Sequence, residues 1–228
     1  MCPSILLTRP EDASRRFAAR LRDRLGPVDV VIAPLLKIRP LVQDVDPQGA
    51  SALILTSAQA ARFGVPGMRC YCVGDATAQA ARVAGMHPIS AKGDAQDLVR
   101  RILADAPLGP LLHIRGTHSR GDVAQRLTDA GVPTREIIAY DQEAQPLCEK
   151  AQALFSGETP VIVPVFSPRT AWALSKAGHP GPNVQAVALS AAVGEMLKNF
   201  PSERIETCVR PDAEAMIATI EGLMDAAS

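Results

Sequence analysis

Residues 6–33 read LLTRPEDASRRFAARLRDRLGPVDVVIA and residues 112–139 read LHIRGTHSRGDVAQRLTDAGVPTREIIA, so the chain states one unit twice at a shift of 106. Nine of the 28 paired positions are identical without a gap: Leu6/Leu112, Arg9/Arg115, Ala18/Ala124, Arg20/Arg126, Leu21/Leu127, Asp23/Asp129, Pro27/Pro133, Ile32/Ile138 and Ala33/Ala139. Each copy has a short apolar run, an amphipathic helical stretch closed by Gly26-Pro27 or Gly131-Val132-Pro133, and a second apolar run, the pattern of strand–helix–strand. A second echo, at a shift of 110, relates Leu53–Ser57 and Ala61 to Val163–Ser167 and Ala171. A strand ending in serine before a helix thus also occurs twice. Two echoes agreeing in order and spacing predict two similar lobes, and a cleft between lobes is a usual place to bind a small molecule.

Outward from these units the same alternation fills the chain. Strands are expected over 4–8, 28–33, 52–55, 70–73, 88–90, 111–114, 136–139, 161–165, 185–189 and 205–208. Helices are expected over 11–24, 58–62, 76–84, 95–104, 120–130, 149–155, 169–176, 191–198 and 213–224. Such alternation means parallel sheets covered by helices on both faces, the α/β class. Asp94 is placed to cap the helix that carries Leu98, Val99 and Ile102. Pro34–Pro40, bracketed by prolines, reads as an extended linker, and 140–143 occupies the same place in the second copy.

The 228 residues carry 24 Lys and Arg against 24 Asp and Glu. A zero net charge argues against nucleic acid or an anionic membrane surface as partner, and leaves anion binding to local arginines. No apolar run reaches the ~20 residues of a membrane span, and the first residues lack the pattern of a secretory signal. The five cysteines are odd in number and form no C-x-x-C pair, which reads as buried thiols in a reducing compartment. The four histidines fit no metal-ligand spacing, so no metal is expected.

Candidate chemistry lies where strands meet helices, since ligands of open α/β sheets bind outside the carboxyl ends of the strands. His113–Asp122 contains Arg115, Gly116 and Arg120, a cradle suited to carboxylate or phosphate. Thr56-Ser57 and Phe166-Ser167 end strands, and both serines read equally as helix caps and as markers of free amides over a ligand. Thr77 opens the helix after Val73-Gly74-Asp75. Tyr140, one of two tyrosines, leaves the second copy either as a packing residue or as a phenol able to donate a proton.

Taken together these residues resemble the uroporphyrinogen-III synthase family over nearly the whole chain. The resemblance rests on Leu7-Thr8-Arg9-Pro10, Leu55-Thr56-Ser57-Ala58, Val73–Ala78, Arg115-Gly116 through Arg120 and Leu127, Ile138-Ala139-Tyr140, and Phe166-Ser167-Pro168. One turn departs: after Val187-Ala188-Leu189 the family has Gly and then Thr, whereas this chain reads Ser190-Ala191-Ala192-Val193-Gly194. The resemblance implies two α/β lobes, each with a parallel sheet, joined by a two-stranded linker. The first lobe would hold 1–36 and 144–228, the second 41–138, with 37–40 and 139–143 as linker strands. It implies a cyclising lyase that turns hydroxymethylbilane into uroporphyrinogen III with loss of water and inversion of ring D, without metal or organic cofactor. Tyr140 would be the general acid. Arg9, Thr56, Ser57, Thr77, Arg115, Gly116, Arg120 and Ser167 would bind substrate. A monomeric cytoplasmic protein acting on a small molecule is expected. The alternative is a non-catalytic two-lobed protein that binds a small anion.

Overall fold

A computed structural model describes residues 2–119, 121–178 and 180–227. The fold is the expected α/β class, with two sheets flanked by helices. The chain divides into two compact units. One is formed by the chain up to Lys37 together with the chain from Glu143 onward, the other by Ile38–Gln142.

In the first unit, β1 (Ser4–Leu7), β2 (Val30–Ile32), β9 (Val161–Val165), β10 (Val184–Ala188) and β11 (Arg204–Thr207) form a sheet of order β11-β10-β9-β1-β2. All four of its strand pairs are parallel. The strands are apolar on both faces because helices cover both. Ile5 and Leu7 point to one face, where α1 (Glu11–Leu25) brings Phe17 and Leu21 and α8 (Ala213–Ala226) brings Met216 and Ile220. Leu6 points to the other, against α5 (Glu149–Ser156), α6 (Pro168–Lys176) and α7 (Ala191–Leu197) through Phe155, Leu174 and Leu197. Alternation along a strand thus divides one apolar run between two cores.

The second unit has β3 (Leu36–Pro40) beside β8 (Thr134–Ala144), then β7 (Leu111–Gly116), β4 (Ala52–Leu55), β5 (Arg69–Cys72) and β6 (His87–Ser90). Leu53, Leu55, Cys70, Cys72 and Ile114 pack on one face with a 3-10 helix over Ala58–Phe63 and with α2 (Asp75–Val83). Ile54, Tyr71 and Leu111 pack on the other with α3 (Ala95–Asp105) and α4 (Val123–Asp129). The Cys70 and Cys72 sulfurs lie 3.8 Å apart on the first of these faces.

Three local expectations need correcting. Residues 58–63 wind as a 3-10 helix rather than an α-helix, a short piece ended by Gly64. The helix expected from residue 120 begins only at Val123, because Gly121 and Asp122 are left-handed at φ of 91° and 43° and interrupt the helical path. The strand expected over 136–139 runs from Thr134 to Ala144 without a break.

The echoes have a topological basis. β1–α1–β2 and β7–α4–β8 are both strand–helix–strand units whose strands pair in parallel. In each sheet a serine-ended strand stands beside the first strand of that unit, β9 next to β1 and β4 next to β7. Reading outward, β11-β10-β9-β1-β2 matches β6-β5-β4-β7-β8 strand for strand. Only the chain order differs. The strand–helix–strand unit comes first in the first unit and last in the second.

Candidate functional site

The order of strands marks one place in each sheet where the chain turns from building one side to building the other. In the first unit it falls between β1 and β9, in the second between β4 and β7. Helices there leave on opposite faces, and the strand ends open a crevice. Thr8, Arg9, Phe166 and Ser167 stand at the first switch point; Thr56, Ser57, Arg115, Gly116 and Thr117 stand at the second.

At the second, Tyr140 comes alongside from β8. It pairs with Gly116 across an irregularity in the β7–β8 register. Thr117 N–H donates to the Tyr140 carbonyl at 2.9 Å. The ring stacks on Phe63, centroids 5.6 Å apart and planes within 7°. A Cβ on residue 116 would fall 2.6 Å from Tyr140 Cε2, so Gly116 is required by the tyrosine ring. Burial pushes the Tyr140 phenol above its ordinary value of 10, and its contacts with the Ser57 side chain and the Gly116 backbone only partly offset this. The phenol therefore holds its proton at neutral pH and is a donor. Ser57 also caps the 3-10 helix, accepting from Gln59 N–H at 3.2 Å. Its capping role and its place beside Tyr140 coexist.

On the opposite face of the same strands lies a chain of contacts that sequence reasoning missed. His113, 1 % exposed, has Nδ1 3.0 Å from Glu136 Oε1 and Nε2 3.1 Å from Thr56 Oγ1. Glu136 Oε2 in turn lies 2.9 Å from Arg115 Nε. Burial holds the His113 pKa below 6.5 against the opposing pull of Glu136. The imidazole is therefore neutral at pH 7 with one N–H. A carboxylate only accepts, so that proton sits on Nδ1, and the bare Nε2 accepts from the Thr56 hydroxyl. The pair is made by the parallel β7–β8 register, in which His113 stands opposite Glu136, and no sequence signal marks it.

Arg115 meets Glu136 and donates from Nη1 to the Gly116 carbonyl at 3.1 Å. Arg115, Glu136, Ser119, Asp122 and Thr128 line an open cavity of about 570 Å³ beside α4. Thr77 stands apart, buried in the first turn of α2 beyond β5. Arg120 lies outside the described residues.

In the first unit Arg9 lies over the Phe166 ring, 4.1 Å from its centroid. Burial, helped by Arg16, lowers its pKa to about 10, which leaves it charged at pH 7. The neighbouring Thr8 hydroxyl, 1 % exposed, has no hydrogen-bond partner among the described residues. Ser167 caps α6, accepting from Thr170 N–H at 3.1 Å. Ser190, in the departing turn, precedes α7 and makes no side-chain cap. Among the described residues there is no group of three or more His, Cys, Asp or Glu able to hold a metal, and no helix is long and apolar enough to cross a membrane.

The family model described as Uroporphyrinogen-III synthase HemD matches residues 15–218. The chain belongs to the uroporphyrinogen-III synthase family. Members of the family are cyclising lyases of tetrapyrrole synthesis, and that is the activity of this chain. Its fold matches uroporphyrinogen-III synthetase from Helicobacter pylori at a TM-score of 0.69 and 15% identity, over 97% of this chain and 99% of that one. It also matches a mutant uroporphyrinogen III synthase from the extremely thermophilic bacterium Thermus thermophilus at 0.55 and 15% identity, covering 98% of each. No curated protein matches the sequence significantly. At 15% identity the likeness to these two structures is one of fold.

Proposed function

We propose that this uroporphyrinogen-III synthase uses Tyr140 as the acid that releases the ring-A hydroxyl of hydroxymethylbilane as water. The observation that carries this reading is a buried phenol, kept protonated, at the carboxyl end of the sheet where the strand order turns. Loss of the hydroxyl leaves an electrophilic azafulvene. Ring D attacks it through its substituted carbon, the spiro intermediate fragments, and reclosure inverts the ring. Oxidation state does not change overall, so no electron carrier enters the balance.

Simple head-to-tail closure gives isomer I, so the protein's work is to hold the chain in the conformation that puts the substituted carbon first. The substrate carries eight carboxylates. Arg9 is the first unit's cation for them, with the Thr8 hydroxyl and the α6 amides behind Ser167 beside it. In the second unit the amide at Ser57 and the hydroxyl of Thr77 serve as contacts, with Arg120 as a further cation, while Gly116 gives the substrate room beside Tyr140. The five cysteines are free, which supports a reducing compartment; we place the protein in the cytoplasm as a monomer.

Product analysis tests the reading. Hydroxymethylbilane is generated in situ, the protein added, and the oxidised uroporphyrin isomers separated. Isomer III in majority is expected. Isomer I alone, at the rate without protein, rejects it.

A further inference from the structure

The contacts behind Thr56 determine what its hydroxyl can offer. Neutral His113 carries its proton on Nδ1, against Glu136, and presents a bare Nε2 to Thr56 at 3.1 Å. The one proton of Thr56 is therefore committed inward. Toward the strand end the hydroxyl has only lone pairs left, so it repels a carboxylate and accepts from a donor. The substrate has four such donors, its pyrrole N–H groups. Thr56 lies at the switch point and precedes Ser57, which contacts the Tyr140 phenol, so the Thr56 hydroxyl and the phenol reach the strand end from opposite faces of the sheet.

We propose that Thr56, held by His113 and Glu136, accepts the ring-A pyrrole N–H of hydroxymethylbilane and takes its proton as the hydroxyl leaves. This rests on the dehydration described above. In that step the C–O bond breaks with its electron pair going to oxygen, and the Tyr140 proton completes the water. The ring-A N–H bond breaks, and its electron pair supplies the double bonds of the azafulvene. That proton goes to Thr56 Oγ1 while the proton of Thr56 moves to His113 Nε2. Glu136 faces the resulting imidazolium. When ring D adds, the ring-A nitrogen regains its electron pair and recovers the proton by the same route. Tyr140 regains its own from the ring-D carbon that loses hydrogen on final closure. Thr56 is the group that touches substrate; His113 and Glu136 position it. The arrangement has the hydroxyl–imidazole–carboxylate order of a general-base relay, and Glu136 opens onto the cavity beside α4.

Glu136→Gln inverts the polarity of the chain without emptying it. The guanidinium of Arg115, whose Nε lies 2.9 Å from Glu136 Oε2, attracts the amide oxygen by its charge, the amide NH2 then faces His113 Nδ1, and the imidazole proton moves to Nε2. Thr56 must turn its own proton outward. The assay measures isomer III formation, with thermal melting in parallel. Glu136→Gln and Thr56→Val are expected to lower kcat about 100-fold, the range of a general base, with KM changed by less than about 3-fold. Thr56→Ser, which keeps the hydroxyl, recovers most of what Thr56→Val loses. The imidazole 15N resonances of His113 in the unaltered protein are expected to show protonated Nδ1 and bare Nε2 at pH 7. A proton on Nε2, a Glu136→Gln protein with unchanged kcat, or a Thr56→Val loss confined to KM overturns the proposal while isomer III formation by the unaltered protein stands. Failure of the unaltered protein to form isomer III overturns both.

Discussion

A methyl group on residue 116 would lie 2.6 Å from Cε2 and 2.9 Å from Cζ of Tyr140, both ring atoms with no freedom to bend away. Gly116→Ala therefore has to push the phenol from its seat on Phe63. We expect it to cost about 1–3 kcal/mol of stability, as overpacking does, and to lower kcat at the same time. Tyr140→Phe separates the two effects. It keeps the ring stack and removes only the donor, so kcat should fall by a factor in the range of about 10²–10⁴ while the melting temperature barely moves. Isomer III rates and thermal melts of the two variants check this, and a Tyr140→Phe enzyme at full rate would remove the phenol from the mechanism. His113 gives a pH prediction. Its folded pKa is lowered, first by burial, then by Arg115, against the pull of Glu136. Unfolded chains therefore bind this proton at higher pH than folded ones do. Its contribution to stability is complete above about 6.5 and declines as the pH falls below that value. Melts at pH 7.5 and 5.5 should show the decline, and His113→Gln should lessen it. Tyr140 and Gly116 could be singled out as candidates in the sequence because each follows closely on an apolar run of the repeated unit. The His113–Glu136 pair was not, since 23 positions separate its members and only strand register joins them.

Helix α3 shows what an element owes to its ends. Asp94 accepts from Gln96 N–H at 2.7 Å and from Asp97 N–H at 3.1 Å, and Asp97 accepts in return from Asp94 N–H. This box orders the helix that sets Leu98, Val99 and Ile102 on the sheet face behind His113. Asp94→Ala removes the acceptor for two otherwise orphan amides, costing about 1 kcal/mol. A drop of about 2–8 °C in melting temperature is expected, with kcat retained because the cap's partners are Gln96 and Asp97 of its own helix; a melt and an isomer III assay of the variant measure the two. Asp94 was readable because the cap residue directly precedes an apolar period. The start of α4 was not, because the left-handed turn at Gly121 and Asp122 leaves no mark on that period. The 3-10 helix over Ala58–Phe63 is too short for a repeat of about 3.0 to be told from one of about 3.6. Strands such as β4 and β9 stood out as unbroken apolar runs, since burial on both faces removes any polar alternation.

At the scale of the molecule, the two echoes and the two sheets tell one history in different orders. The shift of 106 and the shift of 110 pair early residues of one unit with late residues of the other, which a linear duplication of whole lobes does not require. Strand order explains it, for the same five-strand arrangement is entered by the chain at different points. The consequence concerns folding. Ile38–Gln142 supplies from one continuous stretch every strand of its sheet except the first two residues of β3 and the last two of β8, and both cores that cover it. At about a hundred residues it is within the size of an independent domain. The residues from Glu143 onward are in a different position. They carry β9, β10 and β11, but β1 pairs with both β9 and β2, and Phe17 and Leu21 of α1 complete one core. Cut off from the first 37 residues, they would expose the edge of β9 and leave that core half built. Expressed alone, 38–142 should give dispersed amide resonances and a cooperative melt, whereas 143–228 should give neither. A non-cooperative 38–142 would mean that the continuous unit depends on the discontinuous one to fold.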